Sequence, residues 1–479
     1  MRKNILLNTD SYKASHFLQY PHGTEIVSSY IESRGSEYPE WTHTTFFGLQ
    51  MFLMEYLSEP FTQEDIEEAD EILTAHGEPF NREGWQYILD THDGKLPVCI
   101  QAIPEGFSLK TGNVMVQIKN TDPEVPWLTS YLETALLRAV WYPTTVATQD
   151  MAIKKAIMQS LKRTSDSENP NMDAMFKLHD FGARGTSSNE SAGIGGLAHL
   201  VHFMGTDTVE SLRYARAYYG ADMAGFSIPA AEHSTITVWG GPDQEIKAFE
   251  NMIVKFAGEG KLYATVSDSY DIMAACRKWG SLKNQIIEGG GTLVVRPDSG
   301  DPPKVVVDVI EELMHEFGFV YNSKGFKVLP SYVRVIQGDG INYYSIVKIL
   351  KAMEAANLST DNIAFGMGGA MLQHVNRDTL NFAMKASAAR VDGQWRDVYK
   401  DPITQSTKKS KRGRLALIQK DGEYKTIREE DLSDSRANQL KTVYMNGNLL
   451  MKTTLDEVRE RALEFLMVEP EADTFSSAA

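Results

Sequence analysis

The sequence predicts an α/β fold, an irregular parallel α/β barrel joined to a second, β-rich domain. Two observations carry this prediction: a strand–loop–helix grammar repeated along the second half of the chain, and a turn-rich pattern of short strands before about residue 150. Four segments share the first grammar. A short β-branched or aromatic run at 263–266, 293–295, 332–336 and 363–365 opens in turn onto the polar loops SDSYD, RPDSGD, QGDG and GMGG. Markers in these loops (Asp268, Asp298, Asp339 and Gly368) are spaced by roughly the length of one βα unit.

After RPDSGD, Val306, Val309, Ile310, Leu313, Met314 and Phe317 fall at helical spacing, with Asp308, Glu311, Glu312 and Glu316 on the complementary face. Pro302 and Pro303 stand where such a helix would begin. Ile346, Val347, Ile349, Leu350 and Met353 mark a second helix after QGDG. Parallel strands joined by helices bring their carboxyl-end loops to one face, where α/β barrels place their chemistry.

Earlier in the chain, segments 97–102, 107–109 and 114–118 read as short strands separated by PEG and TGN turns. The expected division is a β-rich domain over 1–150, completed by 385–479, and a barrel over 151–384. A chain of 479 residues exceeds one ordinary core, which fits two domains.

Composition narrows the function classes. A net charge of −16 argues against a nucleic-acid or anionic-membrane surface, so an anionic substrate must be met by local positive groups, of which the run KKSKRGR at 408–414 is the densest. With Cys99 and Cys276 alone, no disulfide framework or Cys-rich zinc site is available, and a reducing cytoplasm is expected. No signal peptide or membrane span is read in the sequence, and disorder is expected only in the tail at 474–479.

The stretch GGGTLVVRPDSGD at 289–301 is the most informative, because its apolar run empties into Arg296, Asp298, Ser299 and Gly300. The arginine can clamp phosphate oxygens, the aspartate can accept from sugar hydroxyls, and the Ser-Gly backbone can approach an anion, as a site for a phosphorylated sugar requires. His199 and His202 could share a helix face, but no third ligand is visible, and hydrogen-bonded core histidines are the expected reading.

Together with those loops, NTDSYKASHFLQYP at 8–21, HDFGARG at 179–185, GTDT at 205–208 and PAAEHST at 229–235 form an ordered set. It resembles the nicotinamide phosphoribosyltransferases, in the nicotinate/nicotinamide branch of the type II phosphoribosyltransferases. The resemblance implies a pentosyl transfer in NAD biosynthesis: the ring nitrogen of nicotinamide attacks C1 of 5-phosphoribosyl-1-pyrophosphate, giving nicotinamide mononucleotide and pyrophosphate. It further implies Mg²⁺, ATP as a coupled co-substrate, and a homodimer with active sites at the interface.

By the same resemblance Phe181, and Tyr12 from the partner subunit, sandwich the pyridine ring. Asp207 accepts the amide N–H and repels the carboxylate of nicotinic acid, and Arg184 and Ser227 lie near the base. Arg296 contacts the base and phosphate region and Asp298 the ribose hydroxyls, while Gly338, Asp339, Gly368 and Gly369 cradle phosphate and ribose. Arg377, Lys385, Lys400 and Lys408 reach phosphates from the second subunit. His233 is the histidine phosphorylated from ATP, with Glu232, Asp268 and Asp271 all open as its orienting group. No direct protein ligand for the metal is expected, Asp271 serving at most through water. Two departures stand out: Ala183 where an aromatic is frequent, and Ala383 where a phosphate-facing hydroxyl is common. The rival readings are a nicotinate-using phosphoribosyltransferase, which Asp207 disfavours, and a catalytically silent ligand-binding barrel.

Overall fold

A computed structural model describes residues 3–402, 409–420 and 422–468, so Lys408 and the tail at 474–479 lie outside the described residues. Contacts divide the chain into two units. One takes the residues up to Thr148, then Ala217–Ala221 and Asn376–Phe465; the other takes Gln149–Arg216 and Asp222–Val375.

The second unit is the α/β barrel. Its strands are β1 (Leu178–Asp180), β2 (Gly205–Thr206), β3 (Leu262–Val266), β4 (Thr292–Arg296), β5 (Val333–Gln337) and β6 (Ile363–Met367), in the order β2-β1-β6-β5-β4-β3. Every pairing is parallel. The four repeated runs of the sequence are β3 to β6. Both faces of these strands are covered, so they read as near-continuous apolar runs. Leu293 and Val295 are buried on one face, while Val294 joins Ala264 and Ile336 in a cluster against which Phe181, Ile228 and Ala364 pack.

A seventh stave closes the ring. Phe226 bridges Gly205 of β2 and Ala230 bridges Ala264 of β3, both in parallel sense, with Phe226 N donating to Met204 O and Ala264 N to Pro229 O. Residues 226–230 contain Pro229 and one exposed polar residue, Ser227, and they form bridges rather than a ladder.

The helices begin where local chemistry permits. Asp271 caps α4 (Ile272–Ser281) by accepting from Ala274 N, and Asn342 and Ser345 form a capping box for α6 (Tyr343–Ala355). Proline opens α5 (Pro302–Phe317), whose buried residues are the six of the predicted stripe. Removing six such side chains from water is worth on the order of 10 kcal/mol, an upper bound for a compact unfolded chain. Other helices of this unit used below are α2 (Asn189–His199), α3 (His233–Thr237), α7 (Gly369–Leu372) and the part of α1 (Glu133–Thr164) beyond Thr148.

The first unit is built on a seven-stranded sheet in the order Gln394–Asp397, Phe382–Val391, Thr24–Ser33, Val114–Asn120, Val98–Ala102, Lys441–Met445 and Asn448–Leu449. Its neighbours pair antiparallel. Strands from both ends of the chain thus share one sheet, and the expected barrel limit at 384 falls inside strand Phe382–Val391 of this unit.

Candidate active site

The barrel encloses a cavity of about 440 Å³. At the carboxyl ends of the strands it is lined by Phe181, Asp207, Ser227 and Arg296, and toward their amino ends by Lys177, Arg334 and Asp361. Loop convergence thus brings four of the expected base and ribose residues to one cavity.

Phe181 follows β1 directly, its amide donating to Met367 O of β6, and the Arg296 guanidinium lies 5.9 Å from its ring centroid. The ring lies over Gly366 so closely that a Cβ there would stand 2.0 Å from Phe181 Cε2. Asp207 stands two residues before the helix Val209–Tyr219. Its amide donates to Asp180 O and its carboxylate accepts from Ser227 Oγ, so both residues face the cavity as one hydrogen-bonded pair.

Arg296 and Asp298 are bound to each other. Arg296 Nη2 donates to Asp298 Oδ2 at 2.8 Å and Nε to Oδ1 at 3.2 Å, a bidentate pair that fixes both groups at the end of β4. Gly338 leaves room for the pair, since its Cβ would lie 3.1 Å from Asp298 Oδ1 and 3.3 Å from Arg296 Nε. Asp339 is exposed in the same loop.

Gly368 and Gly369 open α7, and a Cβ on either would meet nothing closer than 3.7 Å, which leaves their backbone accessible to a ligand. The loops after β1 and β6 touch through main chain: a Cβ on Gly182 would lie 2.9 Å from Gly368 O, and one on Gly185 3.0 Å from Gly369 Cα. Arg184 is exposed in that loop and is not among the residues lining the cavity.

His233 is the first residue of α3 and is half exposed. Its Nδ1 lies 3.0 Å from Ser269 Oγ, while Nε2 lies 3.7 Å from both Asp268 Oδ1 and Asp298 Oδ2. Glu232 bonds Ser234 as the cap of α3, and Asp271 accepts from Ala274 N as the cap of α4. Of the three carboxylates left open as orienting groups, Asp268 is the one that lies beside the imidazole. Asp268 Oδ2 accepts from Asp298 N and from Ser299 Oγ, while its Oδ1 is buried without a hydrogen-bond partner.

Burial shapes the charges deeper in the barrel. It pushes Lys177 down to about 8 and His179 down to about 4. Lys177 Nζ donates to the carbonyls of Thr360, Asp361 and Ile363, and Arg334 Nη1 to those of Leu329, Pro330 and Val333. Arg334 thus ties down backbone at the amino end of β5.

The remaining expected residues belong to the first unit. Tyr12 is exposed on a 3₁₀ segment, edge-on to His16. Arg377 is exposed beside Asp378, and Lys400 is exposed in a loop held to Ser410. Lys385 is held below the usual lysine range, first by burial and despite Glu133.

Sequence reasoning passed over Ser269 and Gly366. SDSYD offers several polar candidates, and a lone glycine inside IAFGM shows its purpose only once Phe181 is seen to lie on it.

Comparison with known proteins identifies the family. The nicotinate phosphoribosyltransferase (NAPRTase) family model matches residues 176–448, and the nicotinamide phosphoribosyltransferase N-terminal domain matches residues 4–100. A nicotinamide phosphoribosyltransferase of Xanthomonas campestris pv. campestris (strain 8004) is 52% identical over 466 residues, covering 96% of this chain and 98% of that protein. One of Acinetobacter baylyi (strain ATCC 33305 / BD413 / ADP1) is 33% identical, covering 97% and 98%. Among solved structures, the nicotinate-nucleotide pyrophosphorylase from Pyrococcus furiosus has the same fold, with a TM-score of 0.62 at 17% identity, covering 98% of this chain and 99% of that one. The chain therefore belongs to the nicotinate phosphoribosyltransferase family, in its nicotinamide phosphoribosyltransferase branch.

Proposed function

We propose that this chain transfers the 5-phosphoribosyl group of phosphoribosyl pyrophosphate to the ring nitrogen of nicotinamide, releasing pyrophosphate. The observation that carries this reading is the Asp207–Ser227 pair in the wall of the cavity that also holds Phe181. A carboxylate there accepts an amide N–H and repels a second carboxylate, which selects nicotinamide over nicotinic acid.

The pyridine stacks on the free face of Phe181. Asp298, already accepting from Arg296, keeps lone pairs for ribose hydroxyls, and the guanidinium places positive charge beside the departing pyrophosphate. Backbone at Gly368 and Gly369 receives phosphate oxygens. As the C1–O bond breaks, its electrons leave with pyrophosphate, and the nitrogen lone pair forms the new bond at C1.

Magnesium fits as an ion held chiefly by substrate phosphates. Among the described residues no group of three His, Cys, Asp or Glu side chains could hold it alone, while the orphaned Asp268 Oδ1, with Asp298 nearby, offers carboxylate contact directly or through water. When bound, it would neutralise the charge of the leaving group.

ATP coupling runs through His233. A proton on Nδ1, donated to Ser269 Oγ, leaves the Nε2 lone pair directed at the gap beside Asp268 and Asp298, where it attacks the γ-phosphorus and ADP departs. Tyr12, Arg377, Lys385, Lys400 and Lys408 are assigned to a second copy of the chain in a homodimer. Two free, buried cysteines suit a reducing cytoplasm, and among the described residues no helix is long and apolar enough to cross a membrane.

The test incubates the purified chain with phosphoribosyl pyrophosphate, Mg²⁺ and either nicotinamide or nicotinic acid, with and without ATP, and quantifies both mononucleotides. Mononucleotide from the amide alone, raised by ATP, is expected. A preference for the acid would establish the nicotinate-using rival, and ligand binding without product the silent barrel.

A further inference from the structure

Behind the cavity wall, and outside the cavity itself, lies a buried pair that the proposed chemistry does not use. His199, the last residue of α2, and Asp150 of α1 are both fully buried, with His199 Nδ1 2.6 Å from Asp150 Oδ2. The other ring nitrogen, Nε2, is 2.9 Å from Gly205 O, and a carbonyl only accepts, so Nε2 carries a hydrogen. The proton between Nδ1 and Asp150 is then the hydrogen bond that holds the carboxylate, because among the described residues Asp150 Oδ1 has no hydrogen-bond partner. Asp180, a second fully buried carboxylate, adds its field to the ring. Burial alone would lower the proton affinity of His199, but Asp150 and then Asp180 outweigh it and raise it.

What this buried group holds is backbone leading into the base site. Gly205 starts β2, two residues before Asp207, and is wedged so tightly that a Cβ on it would lie 2.4 Å from His179 Nδ1. On one side β2 meets β1, where Asp207 N donates to Asp180 O. On the other, Thr206 N donates to Phe226 O, next to Ser227. Asp180 Oδ1 in turn accepts from Gly182 N at 2.7 Å, bracketing Phe181. Phe181 and Asp207 thus hang within two residues of bonds that end at His199, Gly205 or Asp180, and Ser227 follows Phe226, which is bonded to Thr206, the neighbour of Gly205.

We propose that the His199–Asp150 pair is a positioning device for the pyridine subsite: by clasping Gly205 it sets the placement of Asp207 and Ser227 relative to Phe181, and so governs recognition of the amide without touching it. This rests on the reading of the cavity as a nicotinamide site. A pair serving stability alone would affect both substrates alike, whereas a positioning pair acts on the base.

The test compares His199→Phe, Asp150→Asn and the double variant Asp150→Leu/His199→Phe. Phenylalanine keeps the stacking on Phe203, whose ring centroid lies 5.4 Å from that of His199, but deletes the clasp on Gly205. The double variant also removes the carboxylate that His199→Phe would leave buried and alone, which guards against simple unfolding. In Asp150→Asn the side-chain N–H can donate to Nδ1 while Nε2–H stays on Gly205 O, so the clasp survives.

Expected is a rise in the KM for nicotinamide of about 10-fold or more in the variants lacking the clasp, the KM for phosphoribosyl pyrophosphate staying within about 2-fold, since small misplacements of positioning groups cost this much. The preference for amide over acid narrows, and Asp150→Asn stays close to wild type on all three readouts. Both KM values rising together, neither changing in a folded variant, or Asp150→Asn failing as badly as His199→Phe would overturn the proposal. Calorimetric titration of nicotinamide into each protein reads the same effect without turnover. Wild-type protein that binds nicotinamide but forms no mononucleotide would defeat the proposed reaction and leave this comparison to decide the positioning role, and wild type that binds no nicotinamide defeats both.

Discussion

Gly366→Ala addresses the aromatic half of the base site through a single methyl group. Gly366 has no backbone strain to relieve, since it is not among the positive-φ residues, so the substitution acts through space alone. The added Cβ would stand 2.0 Å from Phe181 Cε2 and 2.3 Å from Cδ2, where carbon atoms in contact keep about 3.5 Å, so the ring must retreat by about 1.5 Å. Inserting a methyl into a packed site costs about 1–3 kcal/mol. Phe181 is at the cavity wall, and the movement is taken up by its ring rather than by β6, so most of that cost falls on the pyridine. Every 1.4 kcal/mol is tenfold in affinity, which gives a rise of about 5- to 150-fold in the KM for nicotinamide. The KM for phosphoribosyl pyrophosphate should rise less, because Arg296, although 5.9 Å from the moving ring, stays anchored by its bidentate pair with Asp298. Steady-state kinetics with each substrate varied, alongside thermal unfolding, make the comparison. An unchanged KM for nicotinamide in a protein of normal Tm would refute the assignment of Phe181 as the stacking surface.

Three further outcomes are expected. Asp207→Asn removes the repulsive charge while keeping a group that Ser227 can bond, so nicotinic acid should gain by about 10-fold or more relative to nicotinamide in competition assays; an unchanged ratio would remove Asp207 from substrate choice. His233→Ala should retain ribosyl transfer but lose its stimulation by ATP, measured as mononucleotide formed with and without ATP; an equal response in mutant and wild type would reject His233 as the phosphate acceptor. His179, pushed down to about 4 from an unfolded value of 6.5, binds fewer protons folded than unfolded between those limits, so its contribution to stability is lost as pH falls from 6.5 toward 4. Asp150, raised by burial to about 6, acts in the opposite sense over much of that range, so the measurement is the difference in Tm against pH between wild type and His179→Gln. The variant should show the smaller acid destabilisation, and parallel curves would count against a buried neutral imidazole.

Much of the barrel was legible because its strands and helices announce themselves locally. The apolar runs ending in Arg296 and Gln337 lie buried on both faces, and the stripe from Val306 to Phe317 is one face of a helix, so periodicity alone located both. Stave 226–230 was not legible, since Pro229 interrupts a run of only five residues and two isolated bridges define it. Within the site, Arg296 and Asp298 could be read together because a single residue, Pro297, separates them. Asp150 and His199 are 49 residues apart on different helices, and nothing in either neighbourhood marks them as a pair. Asp268 and Asp271 could not be told apart for a similar reason: both stand in SDSYD, and the sequence alone does not show which carboxylate lies beside His233 and which caps α4.

The stave that completes the hoop is also its weakest. Six strands share ladders, but the joint between β2 and β3 depends on a handful of main-chain bonds around Phe226 and Ala230, with Phe226 half exposed. Amide hydrogens at this joint should be the first in the ring to trade with deuterium, well ahead of those in β4 or β5. Opening at this joint would act first on the bore beside Ser227, the residue that follows Phe226 in the cavity wall.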